Sequence, residues 1–384
     1  MKELPPPEAE PSLAAIERRR SHALGDELSP GESHEPPGVR AVDQEVTDTS
    51  DLLTILDRVA DPAGHHRPLA IWLPVAAALA YPWTLAGFHQ AIASKGQIAA
   101  PLVWLAASLA LPLWGLVFAR RATRPNVRRL SFLSLAAPPL FVLVGVVSGL
   151  VHSPVRDLWP WSLAWLGAGG GFALAGRAVP LKPAFARPRR LRVAHGVAAA
   201  LILLFVAFHL ANHLAGLVGP EAHARVMAIG RSIYRSTLVE PVLVLLLLFQ
   251  VVSGIRMAWR WSARQLGWFN VLQVGSGVYL AAFVLTHLNS AFVSARWIHG
   301  IQTDWGWATG APEGLLMDSW NIRLLPHYAL GVFFVIAHLF CGLCTVLSAH
   351  GATRRTTNLI FTLGMLCAGG ISSLIAAVLC GGRL

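Results

Sequence analysis

Charge is what this chain has least of. Only 13% of its 384 residues are charged against 54% hydrophobic, and the mean hydropathy is +0.54. Soluble domains carry roughly 25% charged residues, so a single soluble globular domain is excluded. Acidic side chains are scarcer still beyond position 66, where six of the 20 remain. Cysteine is confined to Cys341, Cys344, Cys367 and Cys380, all within the last 44 residues and inside apolar runs. There is no second CxxC to pair with Cys341 and Cys344, so a zinc site or a disulfide framework is not indicated. These thiols read as small packing residues. The first apolar run starts near residue 68, so no signal peptide is expected at the N-terminus.

What is present falls into three stretches. Residues 1–66 hold 14 of the 20 acidic and 6 of the 31 basic residues, a net of −8; the rest carries +19. Residues 1–48 are rich in Pro, Glu, Ser and Arg and are expected to be disordered. A short amphipathic helix is expected near 50–60, capped by Ser50 and using Leu52, Leu53, Ile55, Leu56 and Val59. Residues 67–180 read as four transmembrane helices without an assigned role, and residues 181–384 as five more. The pI near 10.5 raises nucleic acid as a partner. The arginines lie between apolar runs, however, where they mark topology, so no nucleic-acid role is assigned.

The nine segments are 68–91, 99–120, 129–152, 158–178, 193–218, 237–260, 268–294, 325–349 and 357–381. Each has the ~20 apolar residues that cross ~30 Å of hydrocarbon, and backbone satisfaction in lipid makes them helices. The fold class is therefore all-α, a polytopic transmembrane bundle. Arginine and lysine concentrate in the loops after the second, fourth, sixth and eighth helices, which places the N-terminus in the cytoplasm by the positive-inside rule. An inner (plasma) membrane location follows. Of the two long outer loops, 219–236 reads as an amphipathic surface helix. The other, 296–324, carries four tryptophans suited to the interface with lipid.

Fifteen histidines stand out against this apolar background. Ionisable groups within a membrane helix are costly and point to function, and imidazole is an axial ligand of haem iron. A haem between helices needs one histidine from each of two helices at one depth. At 1.5 Å per residue, His209 lies about 24 Å and His287 about 28 Å from the cytoplasmic ends of their helices. They form one level pair. His338 lies about 16 Å deep, and its level partner on the sixth helix is Gln250. His195, about 3 Å deep, is too shallow for His338 and reads as an interfacial or packing residue. His213, one turn beyond His209, is an alternative ligand. His327 could meet a propionate or a quinone head group, or simply pack. Arg231, Arg235 and Glu240 are candidates for an outer polar pocket.

The carrying segments are RVAHGVAAALILLFVAFHLANHLAGLVGPEAHARV, LLLLFQVVSGIRMAW, LQVGSGVYLAAFVLTHLNSAF and FFVIAHLFCGL. In helix order and spacing, the last 190 residues resemble the five-helix, di-haem cytochrome b membrane anchor of succinate dehydrogenase and fumarate reductase. The resemblance implies a b-type cytochrome exchanging electrons between haem b and a membrane quinone. His209 and His287 match the outer ligands and His338 one inner ligand; Gln250 stands where the family has histidine. Glutamine is a poor iron ligand. The inner haem is then lost, five-coordinate through His338, or rebuilt with another group. No flavin or iron–sulfur motif is present, so dehydrogenase chemistry would belong to flavoprotein and iron–sulfur subunits on the cytoplasmic face. The rival reading is a haem-free membrane scaffold or sensor that kept the fold.

Overall fold

Proline and small residues decide where the helices start, bend and stop. The computed structural model describes residues 68–94, 99–175 and 189–384. The expected tail helix near 50–60 and the basic residues of 176–188 lie outside them. The described residues are helical and contain no strand. In chain order the helices begin with α1 (Trp72–Ala93), α2 (Ala99–Arg121), α3 (Pro125–Leu135), α4 (Ala137–Leu150) and α5 (Leu158–Ala175). They continue with α6 (Arg189–Ala215), α7 (Pro220–Tyr234), α8 (Val239–Trp261) and α9 (Trp268–Leu288). The last four are α10 (Trp305–Thr309), α11 (Gly314–Met317), α12 (Leu324–Ala349) and α13 (Arg354–Leu379). Residues Arg67–Leu384 form one compact unit.

All nine expected segments are helical, but they do not all qualify as simple spans. Among the described residues six helices are long and apolar enough to cross a membrane, and α3 with α4 makes a seventh if that bent pair is one span. The pair bends by 65° at Ala136. Pro138 and Pro139 lack the N–H groups that would continue the ladder across the break. The 18 residues of α5 reach only about 27 Å, and glycine and tryptophan dilute its apolar character. In α1, Tyr81, Thr84, His89 and Gln90 do the same. Neither is in the spanning set.

One core gathers Tyr81, Leu130, Phe141 and Trp161 from α1, α3, α4 and α5. Another gathers Leu315, Val332, Ile336, Ala368 and Ile375, largely from α12 and α13. Between them runs α9, which packs on α2, α3, α4, α8 and α12. Gly275 makes this possible, since a Cβ there would meet Leu116 and Leu135 side chains. By contrast α6 and α8 present long aliphatic faces outward, such as Leu204 at 80% and Leu245 at 65% exposure.

Polar clamps hold the two ends. Arg128 is fully buried and donates to the carbonyls of Ala119, Ala122 and Ser262. Its neighbour Arg129 donates to the Trp259 carbonyl and Ser262 Oγ at 3.2 Å each, and its guanidinium lies 3.7 Å from the Trp259 ring centre. The unpaired carbonyls at the C-terminal ends of α2 and α8 are thus satisfied by one pair of arginines. At the opposite end, Arg323 pairs with Asp157 at 2.7 Å. The cysteines are free; Cys341 and Cys344 are buried, and Cys344 Sγ contacts the Thr357 carbonyl at 3.4 Å.

Candidate functional site

The histidines that matter sit where helix spacing puts them on inward faces. His209 and His213 are four residues apart on α6, hence one above the other. Their rings lie 4.8 Å apart, nearly perpendicular. His287, in the last turn of α9, brings its ring centre to 6.0 Å from that of His209. Of the α6 pair, it is His209 whose ring meets that of His287. His213 faces His223 of α7 instead, at 5.7 Å.

These four histidines line one cavity of about 260 Å³ that opens partly to the surroundings. That volume is just under the range usual for small-molecule sites, roughly 300–1,000 Å³. Its walls are aliphatic and aromatic, including Phe205, Leu247 and Phe283. Its rim is polar. Arg231 donates to the Thr303 carbonyl at 2.9 Å, and Arg235 to Thr303 Oγ1 at 2.7 Å. Glu240 and Arg296 form a two-point ion pair at 2.6 and 3.2 Å. The carboxylate near the α8 N-terminus therefore has a second partner besides the helix dipole.

Several buried groups on this wall lack partners: His213 Nδ1, His223 Nδ1, Asn212 Oδ1 and Arg231 Nε. Buried polar groups usually find partners, so this concentration marks a place built around something else. His223 is held by Asn212, whose Nδ2 lies 3.1 Å from His223 Nε2. Burial pushes the His223 imidazolium down from its ordinary value, and nearby Arg231 adds to this while Asp304 opposes it. Burial, Arg231 and Arg296 likewise lower Arg235. Beyond α9 the chain runs on as a π-helix over Asn289–Ile298; wide turns of this kind often accompany functional sites.

The arrangement can be tested against a bis-imidazole metal. Two imidazoles on opposite sides of one metal place their ring centres roughly 6.3 Å apart, from bonds of about 2 Å and about 1.2 Å from each nitrogen to its ring centre. The His209–His287 separation of 6.0 Å fits. No group of three or more His, Cys, Asp or Glu suited to a metal ion occurs among the described residues. A bare ion wants more protein ligands than two; a metal already held in a macrocycle does not.

At the other end of the bundle the sequence-based expectation needs correction. His195 does meet His338: their ring centres are 6.5 Å apart. The depth argument failed because α6 starts at Arg189 and not at 193, which sinks His195 by another turn. Gln250 does not stand opposite His338 as a ligand. Its Nε2 donates to the His195 carbonyl at 2.8 Å. His327 is buried between Phe283 and Tyr328, with its carbonyl accepting from Tyr279, and does not line the cavity. His89 is half-buried on α1, and His152 lies exposed beyond α4 with a positive φ of 49°. His195, His223, Thr303 and Arg296 carry no weight in the sequence reading of the site. No family model, curated protein or solved structure matches this chain.

Proposed function

We propose that this protein is a membrane-integral b-type cytochrome, with His209 and His287 holding a haem b from opposite sides in the cavity. The observation that carries the reading is the ring separation of 6.0 Å inside a cavity with aromatic walls and a cationic rim. When bound, haem supplies one-electron chemistry and the protein tunes its potential through ligands and burial. His209 and His287 would hold the iron through their imidazoles. Arg231, with Nε free of partners, and Arg235 suit carboxylate groups such as propionates. Phe205, Leu247 and Phe283 exclude water and keep the site in a low dielectric.

The same mouth suits a quinone, whose carbonyl oxygens accept from arginine, and electron exchange between haem and quinone follows as the activity. The arginine-rich end, with Arg120, Arg121, Arg128, Arg129, Arg260 and Arg354, faces the cytoplasm of an inner membrane on the positive-inside rule. Flavoprotein and iron–sulfur subunits would dock at that face. A reduced-minus-oxidised spectrum of the purified protein tests the core of this reading. A b-type α-band that is lost in His287→Ala supports it. Absence of any band leaves the haem-free scaffold, and a band unchanged in His287→Ala displaces the ligand assignment.

A further inference from the structure

We infer that the outward groove between α6 and α8 is a binding site for one anionic glycerophospholipid, taken from the leaflet at the arginine-rich end. The site lies outside the histidine-lined cavity and does not depend on the function proposed for that cavity.

The groove has a volume of about 570 Å³ and opens on the outer face of the bundle. Arg190, Ala194 and Leu201 recur at helical spacing along its α6 side, and Leu246 and Phe249 of α8 stand across from them. Alanine gives it depth. Ala198 is buried at its floor, whereas Leu201 and Phe249 are exposed on either side. The two helices are tied in register by Gln250 Nε2, which donates to the His195 carbonyl at 2.8 Å, and by His195 Nδ1, 2.7 Å from Ser253 Oγ. The groove is therefore preformed. From Arg190 to Leu201 it runs about 17 Å, close to half of the ~30 Å hydrocarbon core. Apart from Arg190 its lining is apolar, so one acyl chain of one leaflet matches it in length and chemistry.

Charge decides which lipid. Arg190 closes one end of the groove. The His195–Ser253 contact brings Arg256, one turn past Ser253, level with Arg192, one turn before His195. Arg256 is two turns beyond Phe249 and so shares its face of α8. All three arginines are exposed. Among the described residues no carboxylate stands at this end, since Asp157, Glu221, Glu240, Asp304, Glu313 and Asp318 all lie toward the other. Uncompensated guanidinium groups suit a phosphate, and basic clefts between membrane helices take anionic head groups. A second copy of the chain suits the groove less well. A two-fold axis along the membrane normal would set the two arginine clusters against each other, and like charges in contact are costly.

Native mass spectrometry of the full-length protein in detergent, titrated with dioleoylphosphatidylglycerol or dioleoylphosphatidylcholine, tests this. The expectation is one tightly retained lipid per chain, with phosphatidylglycerol preferred by about 10-fold or more. Arg190→Gln combined with Arg256→Gln should remove the preference. Ala194→Phe, which fills an exposed position in the groove, should weaken both lipids. Arg120→Gln combined with Arg124→Gln removes the same charge outside the groove and should leave binding as in the wild type. Equal affinity of the wild type for the two lipids overturns the proposal, and this comparison needs no variant to fold. So does a preference that survives the Arg190 and Arg256 substitutions, or one that falls as far with the Arg120 and Arg124 substitutions. A dimer that Ala194→Phe dissolves gives the groove to a second copy and overturns it as well.

Discussion

At the scale of single residues, the histidine-lined cavity is a place where protonation is opposed at His223. Burial, and then Arg231, hold the His223 imidazolium below its ordinary value. Its folded form binds protons less readily than the unfolded chain does, so stability is complete above about pH 6.5 and falls as the pH drops below it. The expected outcome is a thermal midpoint that declines below pH 6.5 in the wild type and declines less in His223→Gln. Midpoints measured between pH 5 and 8 check it. Arg296→Leu should also destabilise the chain, because Glu240 loses its two-point partner. With both side chains partly exposed, the cost is about 1 kcal/mol, and Glu240→Gln in the same chain should recover part of it. Thermal unfolding of the single and double variants measures both effects.

At the scale of helices, the sequence reveals where they lie better than how they end. The nine apolar segments all coincide with helices because lipid length and hydropathy leave little choice. The break at Ala136 stayed hidden, since Ala136-Ala137-Pro138-Pro139 continues an apolar run and reads as uninterrupted. His209 and His287 were legible because both lie deep in long segments, where an error of a few residues in a helix end changes little. His195 lies near an end, so a four-residue error decided its depth. The repeated Ser-Gly pair, in Val252-Ser253-Gly254 and Gly275-Ser276-Gly277, was the signal that could have placed it, since Ser253 holds His195 and Ser276 holds His338. Arg128 closes the ends of α2 and α8 together. Arg128→Met should strand three carbonyls and lower stability by roughly 3 kcal/mol, seen as a lower thermal midpoint in detergent.

At the scale of the whole molecule, the C-terminal five helices do not make a self-sufficient body. Val271, Gly275 and Tyr279 of α9 are buried, with Ala119, Phe132 and Leu135 as their neighbours from α2 and α3. Thr286 donates to the Pro139 carbonyl at 3.1 Å. The resemblance in the last 190 residues covers the histidines but not this wall, which is why the first helices had no role in the sequence reading. A chain beginning at Arg189 would bare that wall. It should aggregate in detergent at temperatures the intact protein withstands, as size-exclusion chromatography after graded heating would report.

The edge position of α6 has a consequence for assembly. This one helix contributes an imidazole to each end of the bundle, His209 at one and His195 at the other. Yet much of its surface faces outward and its grip on the bundle is light; Leu201, for instance, is 62% exposed. Swinging it aside would part His209 from His287 and His195 from His338 at once, whereas His287 and His338 ride on helices packed into the centre. The chain should therefore behave as a bundle with one loose stave. Hydrogen exchange along α6 should run faster than exchange along α9 or α12, as mass spectrometry of the exchanged protein would report.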